Sequence, residues 1–338
     1  MLHYEYVVFN SNDNNALKKN PNGYYTICLK DLENVSDVKV VSQPLDYMPK
    51  LVRLVYCMHT SRRINQYVRL PFQKIWYSKY FKKSKRREKP YCFIFFNPII
   101  PESYYKYLKR TYPDCKIVAL HRDLLKIWKD VAPHFIQNSL FDLEYTFDNQ
   151  EAQKYGLEHF DEFESKIELA NTASLYPKSD VFFAGKAKDR LSRLLEACKL
   201  FNDSGINCLF YVTEVPVEQR ITMPGMVYAD KAMSYRDMLS YTYNAKCLLD
   251  INQTGASGFT SRFLEAVMYN KILITDNPEV KKSKFYNPRY IQYIGKISDI
   301  DTNIINGSVN VDFHYVDEFS PKHLIDQIDA KLTDGRCD

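Results

Sequence analysis

The 338 residues correspond to about two domains at roughly 150 residues each, and a content of 45% hydrophobic with 26% charged residues excludes an intrinsically disordered chain. Forty-six Lys plus Arg against 41 Asp plus Glu leave a formal charge of +5, too small a surplus for a chain that coats nucleic acid. No apolar run reaches the length of a membrane-spanning helix; the longest near-candidate, 91–100, suits a buried strand and its turn.

The N-terminal sequence MLHYEYVVFN enters a strand-like run at 5–9 without a basic region or a small-residue cleavage site, so a cytoplasmic protein is expected. Further strands are predicted at 38–41, 91–96, 115–120 and 143–147, with helices at 49–59, 62–83, 102–111 and 149–155. Short apolar runs that alternate with amphipathic segments predict parallel strands joined by crossover helices, an α/β fold. Around 156–178 the pattern lapses into charged sequence ending in Tyr176-Pro177-Lys178, which separates a domain at 1–165 from one at 176–310. The second half then predicts strands at 181–184, 207–213, 246–251 and 271–275, with helices at 188–203, 234–242 and 261–269. Within 188–203, Leu191, Leu194, Leu195 and Cys198 recur at spacings of three and four. Ser320-Pro321 opens a last helix within 311–338, running to about Lys331 and expected to pack back on the N-terminal domain. The fold expected is two doubly wound Rossmann-like domains facing a cleft, where α/β proteins place their ligands.

The eight cysteines form no CxxC pair and read as reduced core residues, and the seven histidines show no HxH or HxxxH spacing, so no metal site is expected. Asp299-Ile300-Asp301 matches a short metal-binding pattern and reads as a chance occurrence.

Two segments could carry phosphate chemistry. In 180–190, DVFFAGKAKDR, a buried strand meets Gly185 and then Lys186, Lys188 and Arg190 at a helix start, where free N–H groups and cations suit a diphosphate. Taken alone, the segment reads rather as an ordinary strand-to-helix turn with solvated lysines. In 248–277, a strand leads to a loop with Gly255, Ser257 and Gly258, and then to a helix near Thr260 or Ser261 with Arg262 and Glu265 in its first turns. Thr260 or Ser261 can cap the helix or donate to a phosphate, Arg262 can add a bidentate contact, and the Glu265 carboxylate suits paired ribose hydroxyls. The alternative is a capped helix whose Arg262 and Glu265 form an i,i+3 ion pair.

Gly258, Thr260, Arg262, Glu265, Ala266, the strand Ile272–Thr275, Asn277 and Phe285-Tyr286-Asn287-Pro288 stand in this order. The run resembles the donor-binding segment of bacterial GT-B glycosyltransferases of the capsule, exopolysaccharide and lipopolysaccharide type. Arg122-Asp123-Leu124 and the string 141–157 resemble the interdomain region of the same family, so that the likeness covers about 120–295. The resemblance implies a GT-B-like transferase that moves a sugar from a nucleotide diphosphate donor to a cell-surface glycan or a lipid-linked acceptor, with the nucleotide-sugar as substrate and no cofactor. It makes Lys186, Arg190 and Arg262 the diphosphate contacts beside Gly185, Gly258, Thr260 and Ser261, and Glu265 the ribose ligand. It also places Tyr235 near the base and Thr213 and Glu214 at the same cleft. Ser257 stands where the commonest retaining pattern has a first glutamate, and Ala256 where a glutamine is frequent. A non-catalytic nucleotide- or glycan-binding subunit is therefore the rival reading, with an epimerase or phosphorylase on the same scaffold as a second. An inverting mechanism needs a base, and His121 and Asp123, which follow the strand at 115–120, are the candidates; their alternatives are a cleft-lining residue and a helix cap.

Between 62 and 89 stand eleven Lys or Arg and one acid, interleaved with Phe72, Trp76, Tyr77, Tyr80 and Phe81 along one helical face. The stretch 72–89 suits an anionic membrane surface, with rings in the headgroup layer, which would make the protein peripheral at the inner face of a membrane. An aromatic core face with a solvated basic tail is the alternative. No nucleic-acid module surrounds it, and nucleic acid is not an expected partner.

Overall fold

The computed structural model describes residues 2–9, 22–41, 49–61, 64, 71–81, 88–96, 102–125, 139–253, 258–307 and 309–334. The chain divides into two units, one comprising Met1–Phe160 with Pro321–Asp338 and the other Asp161–Ser320.

The first unit holds a six-stranded parallel sheet. Its strands are β1 (Glu5–Phe9), β2 (Val38–Val41), β3 (Tyr91–Phe96), β4 (Lys116–His121), β5 (Leu143–Thr146) and β6 (Glu158–His159), in the order β2-β1-β3-β4-β5-β6. All six residues of β3, YCFIFF, are buried, as a strand covered by helices on both faces requires. Aromatic rings fill this core: Phe9 stacks on Phe95 with centroids 4.6 Å apart, and Tyr112 meets Tyr91 edge-on at 5.3 Å. The longer helices of this unit include α1 (Lys50–Thr60), α2 (Glu102–Thr111) and α3 (Asn149–Tyr155). Asp148 caps α3 by accepting from Glu151 N at 2.9 Å, and Gly156 ends it with φ 65°, a left-handed turn that favours glycine.

The second unit repeats the architecture. Strands β7 (Ser179–Lys186), β8 (Cys208–Thr213), β9 (Met226–Ala229), β10 (Ala245–Asp250), β11 (Ile272–Thr275) and β12 (Ile291–Tyr293) form a parallel sheet in the order β9-β8-β7-β10-β11-β12. Its helices include α4 (Leu191–Asp203), α5 (Tyr235–Asn244) and α6 (Ser261–Met268). The spacing noted in α4 turns Leu194, Ala197, Cys198 and Phe201 into a core with Val181, Phe183, Phe210, Leu249 and Ile274. Each unit is a doubly wound Rossmann-like module, and two such modules in one chain are the make-up of a GT-B-like fold. The last helix, α7 (Pro321–Asp334), belongs to the first unit, where Asp329 accepts from Tyr6 OH at 2.8 Å and from His3 N at 2.9 Å.

The described cysteines are free; Cys198 and Cys208 face each other with their sulfurs 3.6 Å apart. The structure corrects one predicted element. Of the helix expected over 62–83, residues 62, 63, 65–70, 82 and 83 lie outside the described residues, and the rest is a 3-10 turn, Gln73–Trp76, followed by one helical turn, Tyr77–Tyr80. Phe72 precedes it at φ 63°, a left-handed backbone that no α-helix can pass through. Strands β6, β9 and β12, of two to four residues, were not predicted; all three are sheet edges, too short for a period to show.

Candidate functional site

In the second sheet β8 and β9 extend to one side of β7, and β10, β11 and β12 to the other. The chain therefore reverses direction between β7 and β10, and loops leaving neighbouring carboxyl ends at such a switch point part to leave a crevice. Both segments singled out in the sequence, 180–190 and 248–277, leave the sheet at this place.

Arg190 ties the two strand ends together. Its guanidinium donates through Nη1 to Ile251 O and through Nε and Nη2 to Lys186 O, at 3.2 and 3.1 Å, and lies 5.2 Å from the centre of the Phe183 ring. A Cβ on Gly185 would stand 3.0 Å from Arg190 Nη2, so the glycine makes room for this bridge. Burial lowers the Arg190 pKa from its ordinary value, with the nearby Asp250 charge acting the other way. Arg190 thus spends its donors on backbone carbonyls and joins the ends of β7 and β10. Lys186 and Lys188 stay at the surface: Lys186 pairs with the exposed Glu214 at 2.7 Å, and Lys188 Nζ donates to Gln253 Oε1 at 2.8 Å. Glu214 and Lys188 adopt φ 59° and 46°, strained for side chains other than glycine. Thr213, at the end of β8, is buried, and its carbonyl accepts from Ala187 N at 2.9 Å.

On the β10 side, Asp250 is buried and its Oδ2 accepts from Thr260 Oγ1 at 2.8 Å and Thr275 Oγ1 at 3.1 Å. Burial raises its pKa, and the Thr260 hydrogen bond partly offsets this. Thr260 also caps α6, accepting from Phe263 N at 3.2 Å, so the cap expected at 260 or 261 is Thr260, and Ser261 begins the helix half-buried. Asn277 Nδ2 holds the Gly258 carbonyl at 2.9 Å, and Gly258 takes φ 86°, a conformation natural to glycine. Gly255, Ala256 and Ser257 lie outside the described residues. Arg193 Nη1 reaches Asp276 Oδ2 at 2.6 Å, and Asp276 Oδ1 in turn accepts from Asn252 N at 2.7 Å. Sequence reasoning passed over Asp250, Arg193 and Asp276, although acids just after an apolar strand were a signal available to it.

Arg262 and Glu265 form the i,i+3 ion pair that was one of the two readings of this helix. Glu265 is 1% exposed; its Oε2 accepts from Arg262 Nη1 at 2.5 Å and from Thr242 Oγ1 at 3.3 Å, and its Oε1 accepts from Tyr235 OH at 3.2 Å. Arg262 Nη2 also donates to Ala184 O at 3.0 Å. Burial raises the Glu265 pKa, and the adjoining Arg262 charge holds it down. The single Tyr235 O–H proton is shared between Glu265 and the buried Glu164, so the hydroxyl stands between two carboxylates.

In the first unit His121 ends β4 at 1% exposure, with Nε2 2.7 Å from Glu144 Oε1 and Nδ1 buried without a hydrogen-bond partner among the described residues. Because the carboxylate can only accept, Nε2 carries the proton and a neutral ring keeps the Nδ1 lone pair. Asp123 is exposed, and most of the helix expected after it, 126–130, lies outside the described residues. Of the five rings expected at a lipid surface in 72–89, three are core residues, while Tyr80 is half-buried and Phe72 is exposed. Trp76, Tyr77 and Phe81 are buried; Trp76 donates to His59 Nδ1 at 2.8 Å and meets Tyr56 edge-on at 5.4 Å, and Phe81 packs on Phe93. This corrects the expectation that they enter a headgroup layer, because the spacing that lines up a membrane-facing stripe lines up a core-facing one equally well. The basic run 82–87 lies outside the described residues. Asp299 and Asp301 close local turns, accepting from Lys296 N at 3.1 Å and Asn303 N at 3.0 Å. Among the described residues no cluster could hold a metal ion, and no helix is long and apolar enough to cross a membrane.

No family model matches the chain, and no curated protein matches it. Solved structures similar to it include a Listeria monocytogenes protein assigned as a UDP-N-acetylglucosamine 2-epimerase, at 10% identity and TM-score 0.48 over 98% of this chain and 97% of that one. The UDP-N-acetylglucosamine 2-epimerase of Rickettsia bellii is 12% identical, TM-score 0.44, over 98% and 95% of the two chains. An α-glucosyltransferase in complex with UDP-glucose and DNA containing an abasic site is 9% identical, TM-score 0.43, over 80% and 78%. At these identities the functional reading must stand on the residues of this chain.

Proposed function

We propose that this chain is a glycosyltransferase that binds a nucleotide diphosphate sugar at the switch point of its second sheet and transfers the sugar to a cell-surface glycan or lipid-linked acceptor. One observation carries the reading: the β7–β10 reversal brings the lysine-rich turn after Gly185 and the capped N-terminus of α6 to the carboxyl ends of neighbouring central strands. Lys186 and Lys188, paired with Glu214 and Gln253 at the surface, can move onto a diphosphate, and the first N–H groups of α6 with the Ser261 hydroxyl add donors. Such fixed positive ends stabilise the charge that builds on a departing nucleoside diphosphate. In this reading Arg190, Arg262 and Glu265 brace the strand ends beside the site, and the diphosphate and ribose contacts that the resemblance implies for them belong to the same proposal. For the acceptor, His121 is the candidate base, with Glu144 hydrogen-bonded to its Nε2.

Titration calorimetry with UDP, GDP and pyrophosphate tests the donor site. Lys186→Ala with Lys188→Ala should lower affinity for all three by roughly 2–4 kcal/mol, the scale of two charge-assisted contacts. Unchanged affinity would remove the site from these strand ends. Incubation of nucleotide-sugars without acceptor separates the rivals: slow release of free sugar supports a transferase, an altered sugar identifies an epimerase, and binding without turnover identifies a subunit.

A further inference from the structure

Helix α1 carries an apolar stripe that the fold leaves in solvent. Leu51, Leu54, Val55 and Met58 recur at spacings of three and four, the pattern a globular helix buries, yet all are exposed, and Tyr56 is the residue that turns inward onto Trp76. The 3-10 turn that packs on α1 through Trp76 leaves Ile75 exposed, as is Phe72 before it; Leu51, Leu54, Met58, Phe72 and Ile75 are 47–77% exposed. In the same stretch of sequence Lys50, Lys74 and Lys79 are exposed and Arg53 is half-buried. From Tyr47 to Arg87 the sequence has twelve Lys or Arg and no Asp or Glu. An apolar stripe within an acid-free basic segment needs an occupant that is anionic at its surface and apolar beneath.

We propose that α1 is an in-plane docking helix that seats Leu51, Leu54, Val55 and Met58 in an anionic lipid surface. Eleven residues at about 1.5 Å each give a helix of roughly 16 Å, too short to cross a bilayer and suited to lying along it. The lysines then meet lipid phosphates while the aliphatic side chains enter the acyl boundary. Single-stranded nucleic acid would satisfy the charge but not the stripe, since bases stack on rings and Trp76, Tyr77 and Phe81 are buried. The inference is independent of the proposed sugar transfer.

Flotation with vesicles tests it. The parent protein should float with equimolar phosphatidylcholine and phosphatidylglycerol, stay behind with phosphatidylcholine alone, and bind less as salt rises. Replacing Leu51, Leu54 and Met58 together by Ser should lower partitioning roughly tenfold or more, largely without regard to salt. Lys50→Glu, Lys74→Glu and Lys79→Glu together should lower it roughly a hundredfold, most steeply at low salt. All six positions are exposed, so circular dichroism and melting should show both variants folded. Failure of the parent to float with anionic vesicles at low salt overturns the proposal, as does full binding by the serine variant, which would leave charge alone as the attraction. Tighter binding to a single-stranded oligonucleotide or an acidic polypeptide than to vesicles also overturns it. So does self-association, seen by light scattering, that the serine substitutions abolish, because the occupant would then be a second copy of the chain.

Discussion

Arg262 shows how burial changes what a residue can be asked to do. Its guanidinium faces Glu265, Thr242 and the Ala184 carbonyl, and Glu265 has no exposure to speak of, so removing the arginine strands a carboxylate inside the protein. Arg262→Ala should cost about 3–5 kcal/mol of stability, the usual penalty for breaking a buried pair from one side. The loss should also depend on pH. Burial already raises the Glu265 pKa, and without Arg262 the folded state holds its proton to still higher pH while the unfolded state releases it at about 4. The folded form then binds more protons than the unfolded one, so stability falls as pH rises, and the deficit should be smaller near pH 4 than near pH 8. Urea titrations of parent and variant at the two pH values measure this; equal deficits would mean that Glu265 stays ionised without its partner.

At the scale of elements, the second sheet depends on close approach between β8 and the turn that enters β9. Gly225 adopts φ 79°, and a Cβ there would stand 2.2 Å from the Cys208 carbonyl oxygen, a backbone atom that can yield only if the strand moves. Its own carbonyl accepts from Phe210 N at 2.7 Å, so the displacement would break the pairing of β8 with β9. Gly205, after α4, has a similar φ of 68°, but a Cβ there would meet nothing within 4 Å. Gly205→Ala should therefore cost about 1 kcal/mol, for left-handed strain alone, and Gly225→Ala roughly 2–5 kcal/mol, for strain and overlap together. Comparison of the two chemical denaturation midpoints checks the difference; equal losses would show that the β8–β9 edge yields freely.

For the whole molecule, the first unit is completed by a segment that follows the second, Pro321–Asp338. Helix α7 buries Leu324, Ile325, Ile328 and Leu332, and Asp329 accepts from His3 and Tyr6. Burial opposes ionisation of Asp329, but these hydrogen bonds hold its pKa below the ordinary value. Four apolar side chains at about 1.5–3 kcal/mol each exceed the margin of many domains, so a chain ending at Ser320 should lose the first unit and keep the second. Hydrogen exchange would then show protection lost in β1, β3 and β4 and retained in β7, β8 and β10. Persistent protection at Tyr91–Phe96 would show that the first sheet stands without α7.

What the sequence determined by itself is local: β1, β2 and β3 at their observed bounds, the starts and stops of α2 and α3, and the strand-helix alternation that specifies parallel sheets. Period and capping are set by residues a few positions apart, which is why Thr260 and Ser320-Pro321 were legible as helix starts. The tertiary structure decided which faces and charges are buried. Arg262 finds a carbonyl at Ala184 and Tyr6 finds a carboxylate at Asp329, partners 78 and 323 residues away that no window can contain. The stripe at Trp76, Tyr77 and Phe81 turned inward while the equally periodic stripe of α1 turned outward, because spacing defines a face but only packing supplies what covers it.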